Sequence, residues 1–195
     1  MAIDCYVDVP MRFVYLKDKP EFAQIASELL FEYWSEAMYD LGFETAEESA
    51  EFMKNEYVGR GDSIYSLILL LDEPEGTRGP EKLMGFAQLS ECDMSIRSQF
   101  SPWIATIMVL PEYRKNGVGK MLVEVAESLV GSLGCPELYL WTFPHLVKWY
   151  QDQGWSLVER VDYCGFDAHV MKKTLTTKTS PFVLPDVSQR LSSSP

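Results

Sequence analysis

Residues 103–110 are apolar except for Thr106, and they run straight into a turn with two glycines and three cations. That junction constrains the fold more than any other segment. A strand with no polar alternation is buried on both faces, so it is expected at the centre of a sheet. Over 118–133, Met121, Leu122, Val125, Ala126, Leu129, Val130 and Leu133 recur at helical spacing. Glu124, Glu127 and Ser128 are left for the water side, and Gly134 and Pro136 stop the helix.

Between strand and helix stands Pro111-Glu112-Tyr113-Arg114-Lys115-Asn116-Gly117-Val118-Gly119-Lys120. The first turn of a helix offers unpaired N–H groups and the positive end of the dipole. Glycine lets a ligand approach the backbone closely, and Arg114, Lys115 and Lys120 add positive charge. Together these suit a pyrophosphate. The plain alternative is a turn that uses its glycines for geometry only. A nucleotide-triphosphate loop is excluded, because Met121 follows Lys120 where serine or threonine is required. The dinucleotide fingerprint fails as well, with Leu122 in place of its third glycine.

The remaining segments alternate between two periods. Residues 11–16 read as a first strand. From Pro20 to the stop at Gly42, Phe22, Ile25, Leu29, Leu30, Tyr33, Trp34 and Met38 give a wide apolar helical face. Thr45 and Glu48 form a capping box for a second helix ending near Tyr57. Gly59 and Gly61 mark a turn, residues 63–71 a buried strand, 72–80 a polar hairpin loop and 82–91 the returning strand. A strand over 137–141, a short helix over 144–153 and a closing hairpin over 155–161 and 166–172 follow. This mixture implies an α/β (α+β) fold around a mostly antiparallel sheet. Residues 10–175 are expected to form one domain, and the Ser/Thr/Pro-rich residues 176–195 a tail or strap.

Charge and cysteine usage narrow the class. The chain has 195 residues and a net charge of −12. An acidic surface repels nucleic acid and anionic membranes and favours cationic partners. Cys5, Cys92, Cys135 and Cys164 show no CxxC spacing, and His145 and His169 are the only histidines. The expectation is therefore reduced thiols, no metal site and a cytoplasmic protein. The start lacks a basic flank followed by an apolar run, so no signal peptide is expected.

Arg114-x-x-Gly117-x-Gly119 resembles the Arg/Gln-x-x-Gly-x-Gly/Ala signature of the GNAT superfamily of N-acetyltransferases. Residues 107–113 resemble the family's fourth strand and its exit. Trp149-Tyr150-Gln151-Asp152-Gln153-Gly154-Trp155 is similar to its Phe-Tyr-x-x-x-Gly-Phe segment. The ending Val170-Met171-x-Lys173-x-Leu175 looks like that of small bacterial-type members. The element order matches from Arg12 to Leu175.

The resemblance implies a twisted sheet flanked by helices and splayed between strands four and five. It implies acetyl-CoA as cosubstrate, without metal, and transfer of the acetyl group to a primary amine by direct attack in a ternary complex. Backbone groups of Ile107, Met108 and Val109 would pair with the pantetheine arm. The N–H groups of Lys115, Asn116, Gly117, Val118, Gly119 and Lys120, with Arg114, would hold the pyrophosphate. Tyr150 matches the tyrosine that protonates the leaving thiolate. The fourth strand lacks the carboxylate that many members use as base, which leaves Glu91 and Asp93, at the end of the preceding strand, as candidates. Thr142 stands where many members carry asparagine. Tyr33, Trp34, Tyr39, Trp103, Trp141 and Trp149 are candidate walls of an acceptor pocket or plain core. The acceptor is a small-molecule or peptide amine, and a homodimer fits the family pattern. A catalytically silent acyl-CoA-binding module is the alternative.

Overall fold

The computed structural model describes residues 11–59, 66–72 and 80–175. In chain order the elements are β1 (Met11–Tyr15), α1 (Ala23–Asp40), α2 (Ala46–Gly59), β2 (Ser66–Asp72), β3 (Lys82–Ser90) and β4 (Trp103–Val109). Then come α3 (Val118–Ser132), β5 (Glu137–Thr142), α4 (Val147–Gln151), β6 (Ser156–Tyr163) and β7 (Phe166–Thr174). The turn at Gly61, the hairpin loop over 73–79 and the tail over 176–195 lie outside the described residues, as do Cys5 and the first three residues of the strand expected from Ser63.

The sheet runs β1-β2-β3-β4-β5-β7-β6, so β4 has three strands on either side, as its unbroken apolar run requires. Every neighbouring pair is antiparallel except β4 and β5. Those two are parallel because α3 carries the chain back across the sheet between them. β2 shows why both faces are covered. Ile68 and Leu70 pack with Leu122, Val125 and Leu129 of α3. Leu67, Leu69 and Leu71 point the other way, onto Ala26, Leu29 and Leu30 of α1 and Met53 of α2.

The β3–β4 ladder contains a bulge. Gln88 pairs with Thr106 and Leu89 with Ile104, so Ala105 is an extra residue in β4. A bulge bends a strand and increases its local twist. On the other edge, β4 and β5 share the single register pair Trp103↔Tyr139. Beyond it the strands part, while β3 stays paired with β4 as far as Gly85↔Val109.

Local signals hold at several boundaries. Gly117 caps α3 at φ +79°, and Gly134 ends it at φ +81°. The capping box of α2 forms with one arm displaced: the Glu48 N–H donates to Thr45 Oγ1 at 3.2 Å, but the Glu48 carboxylate accepts from the Glu44 N–H at 2.8 Å. Two readings need correction. Glu127 does not face water. Its carboxylate accepts from Lys173 Nζ at 2.7 Å and from the Trp155 indole N–H at 3.0 Å. Lys173 also donates to the Gln153 carbonyl at 2.7 Å, so one partly buried ion pair ties α3, the turn after α4, and β7. Burial pushes the Glu127 carboxyl up while Lys173 pulls it down. The apolar face of α1 is also narrower than expected. Ile25 is exposed, and the helix departs from helical φ/ψ at Trp34 (φ −138°, ψ 33°), which turns the following residues.

Close approach of β3 to β4 depends on Gly85, where a Cβ would lie 2.5 Å from the Met108 carbonyl oxygen. Gly85→Ala is therefore expected to destabilise the fold by about 1–3 kcal/mol, as overpacking does. An unchanged denaturant midpoint would show that the strands tolerate a methyl there.

Candidate functional site

The turn after β4 is held by its own arginine. Arg114 Nε donates to the Val109 carbonyl at 2.9 Å, and the guanidinium lies over the Tyr33 ring of α1 at 4.9 Å. Arg114 thus fastens the turn to β4 and α1 instead of projecting free charge over it. Lys115 takes φ +65° and Gly117 φ +79°. These left-handed conformations lead the chain into α3 with the N–H groups of its first turn unspent on intrahelical bonds. Lys115 and Asn116 are exposed, and Lys120 sits loosely by Glu124 at 3.9 Å.

The two glycines have different reasons to be glycine. Gly117 has open space around a notional Cβ and is required by its positive φ. Gly119 is in ordinary helical conformation, and a Cβ would meet Val109 at 3.7 Å and Trp149 at 4.0 Å, both normal contacts. The protein's own packing does not need Gly119 to lack a side chain. A ligand lying across the first turn of α3 would.

The parted strands lead from that turn into the sheet. Ile107, Met108 and Val109 all belong to the stretch of β4 that has left β5. On the α1 side the gap opens into a cavity of about 480 Å³. It is lined by Tyr33, Trp34 and Glu36 of α1, Ile107 and Met108 of β4, and Phe143 and Phe166. Trp34 stacks on Phe143 at 5.7 Å between centroids, and Trp141 stands behind, in ring contact with Trp34, Phe143 and Phe166.

The expected acid and base lie on opposite faces of the sheet. Tyr150 belongs to the core between α3 and the sheet, edge-on to Trp149 and Trp155. Burial pushes its phenol well above the ordinary tyrosine value, and its hydroxyl forms no hydrogen bond among the described residues. The unperturbed phenol of the sequence reading is therefore corrected. Asp93 lies beyond β3 on the α1 face, its backbone carbonyl accepting from the Tyr163 hydroxyl at 3.3 Å. Its Oδ2 is shut off from solvent and has no partner. Burial pushes the carboxyl up to about 7, and the Trp141 indole draws it down only in part. Glu91 is exposed, so the two candidate carboxylates are not equivalent.

Other expectations sort themselves by position. Of the six aromatics, Tyr33 and Trp34 line the cavity and Trp141 backs it. Trp103 is fully buried, Tyr39 is exposed and Trp149 lies over Gly119. Phe143, Phe166 and Glu36 were missed. The two phenylalanines fall in separate segments, and Glu36 belongs to the i,i+4 row Glu28, Glu32, Glu36 and Asp40, which looks like a solvated helix face. Thr142 is buried opposite His169, whose ring nitrogens make no hydrogen bond. Among the described residues, no cluster of His, Cys, Asp and Glu could hold a metal ion, and no helix is long and apolar enough to cross a membrane.

The sequence profile described as "Acetyltransferase (GNAT) family" matches residues 20–155, most of the chain and all of this site's cradle. The chain belongs to the GNAT acetyltransferase family. Its fold is the GNAT fold, a seven-stranded sheet with one parallel step. A GNAT acetyltransferase from Streptococcus pneumoniae superposes with a TM-score of 0.57 at 18% identity, covering 86% of this chain and 100% of that one. An aminoglycoside 6'-acetyltransferase type Ii gives 0.57 at 23% identity, over 86% and 99% of the two chains. Mutant forms of a spermidine/spermine N-acetyltransferase from Vibrio cholerae give 0.60 at 16%, over 85% and 95%. At such identities the likeness is one of fold. No curated protein matches the sequence significantly.

In this GNAT chain the raised carboxyl of Asp93 links stability to pH. Its folded value lies above the unfolded one, so the folded state holds that proton more tightly. The contribution is fully present below pH 4 and is lost as pH rises through about 7. Asp93→Asn is expected to raise the melting temperature by a few degrees at pH 8 and to change it little at about pH 3.5, below the unfolded value. Equal shifts at both values, read by differential scanning calorimetry, would mean that Asp93 is not a buried ionising group.

Proposed function

We propose that the protein is an acetyl-CoA-dependent N-acetyltransferase that acetylates a primary amine by direct attack in a ternary complex. One observation carries this reading: β4 leaves β5 after a single pair, beside an open α3 N-terminus whose Gly119 the fold itself does not require. The N–H groups of residues 115–120 would hold the pyrophosphate. Ile107 and Met108 would pair with the pantetheine arm through their backbones. Val109 would take a smaller share, because its carbonyl already accepts from Arg114.

Acetyl-CoA supplies an activated acyl carbon, and the chain supplies orientation and proton transfers. The entering amine arrives as an ammonium ion, with an ordinary pKa of about 10.4. Asp93 would take up the proton that must leave before the nitrogen can attack, its carboxylate standing behind Trp141, whose indole bonds to it. A carboxyl titrating near 7 is matched to that duty at neutral pH, whereas Glu91 lies in open solvent. A backbone N–H of β4 near Met108 or Val109 would steady charge on the carbonyl oxygen. As the nitrogen–carbon bond forms and the carbon–sulfur bond breaks, Tyr150 gives its proton to the departing sulfur, and the second proton that the nitrogen sheds in becoming an amide passes through solvent and restores the phenol. Its phenol stays neutral at every working pH. The burial that raises the phenol also raises the thiol it must protonate, so the pair stays matched. Direct attack is preferred to a covalent enzyme intermediate, since no cysteine lines the cavity among the described residues. Free Cys92, Cys135 and Cys164 suit a reducing, cytoplasmic setting.

Two substitutions separate these roles. Gly119→Ala meets only ordinary contacts and favours helix, so stability should hold or rise by up to about 1 kcal/mol while coenzyme A affinity falls at least tenfold. Unchanged affinity in isothermal titration would remove the cradle. Tyr150→Phe should lower kcat about 100-fold with coenzyme A affinity retained. Unchanged kcat would remove Tyr150 from the acid role. The reaction itself is tested by thiol release from acetyl-CoA with a panel of primary amines. Tight coenzyme A binding without turnover on any of them would make the protein a silent acyl-CoA-binding module.

A further inference from the structure

The cavity on the α1 side has a composition that selects among amines. It holds one charged lining residue among the described residues, Glu36, and that carboxylate forms no ion pair. No cation lines it. The remaining surface is dominated by rings. Trp34 and Phe143 stack within 13° of parallel at 5.7 Å, and Phe166 meets Phe143 edge-on at the same distance. The departure of α1 from helical φ/ψ at Trp34 sets the indole among these rings and leaves Glu36, two residues on, at the same cavity.

Resting on the transferase reading above, we infer that the acceptor is a primary monoamine with a flat aromatic body, not a polycation. A cavity of about 480 Å³ has room for one such molecule. Its body would extend the ring cluster by offset or edge-on contacts. Its single ammonium would be drawn by Glu36 and by the negative faces of the rings. A polyamine or aminoglycoside brings several charges into the same space. One carboxylate can pair with one of them, and the others would exchange water for ring faces alone, with no carboxylate to pair with. The acidic surface at large still attracts any cation, so the selection rests on the cavity and not on net charge.

The test combines turnover with equilibrium binding. Thiol release is measured with 2-phenylethylamine, n-butylamine, spermidine and kanamycin. Binding of each amine to the coenzyme A-loaded protein is followed by tryptophan fluorescence, since Trp34 and Trp141 stand at the cavity. The expected result is a kcat/KM for 2-phenylethylamine about tenfold or more above each of the others. Phe166→Leu should cut the aryl-to-alkyl ratio several-fold. Glu36→Gln should raise KM for 2-phenylethylamine several-fold, with coenzyme A affinity retained. Both side chains are partly or wholly exposed, and unchanged melting temperatures would establish that the variants fold. Preference for spermidine or kanamycin, or an aryl-to-alkyl ratio that neither variant changes, overturns the inference and leaves the transferase reading standing. Saturable binding of 2-phenylethylamine without turnover on any amine supports the cavity assignment and overturns the transferase reading instead.

Discussion

A strand in the middle of a sheet has backbone donors and acceptors on both edges, and each needs a partner. β4 satisfies one edge with β3. It leaves the other to β5 for one pair, Trp103↔Tyr139, and then loses it. The extra residue at Ala105 lies within the stretch where this happens, and a bulge there bends and twists the strand away from its neighbour. Everything that gives the molecule a site follows from that parting. The gap opens the centre of the sheet, the turn at its mouth is rich in free N–H groups, and a cavity lies on the α1 side.

The gap also separates two chemistries that would otherwise interfere. Tyr150 and Asp93 are both pushed up by burial, but on opposite faces. The phenol belongs to the core under α3 and keeps its proton. The carboxyl belongs to the aromatic layer behind the acceptor cavity and gives its proton up near neutral pH. One physical effect, loss of water, raises both values and leaves them far apart, because a phenol and a carboxyl start from different values.

Arg114 and Lys173 do the holding. Arg114 spends its side chain on Val109 and Tyr33, linking the ligand cradle to the wall of the acceptor cavity. Lys173 joins Glu127 of α3 to the carbonyl of Gln153, just beyond the helix that carries Tyr150. Breaking the latter pair would leave a partly buried charge without its partner and a carboxylate already disfavoured by desolvation. The site is therefore braced from two sides by cations, of which sequence patterning assigns Arg114 to a ligand.

The sequence by itself determined the framework: the central position of β4, the span of α3, the glycine caps, the order of elements and the cradle motif. Such features depend on period, capping and turn chemistry, which act over a few neighbouring residues. It was silent on what only proximity creates. Glu127 looks solvated on a helical wheel until Lys173 arrives from β7. Glu91 and Asp93 are alike in sequence, and burial alone makes one of them titrate near 7. Trp34, Glu36, Phe143 and Phe166 come from three separate segments and share no motif. The tertiary structure decided these because desolvation, ring stacking and ion pairing depend on distances between residues far apart in the chain, which local patterning does not encode.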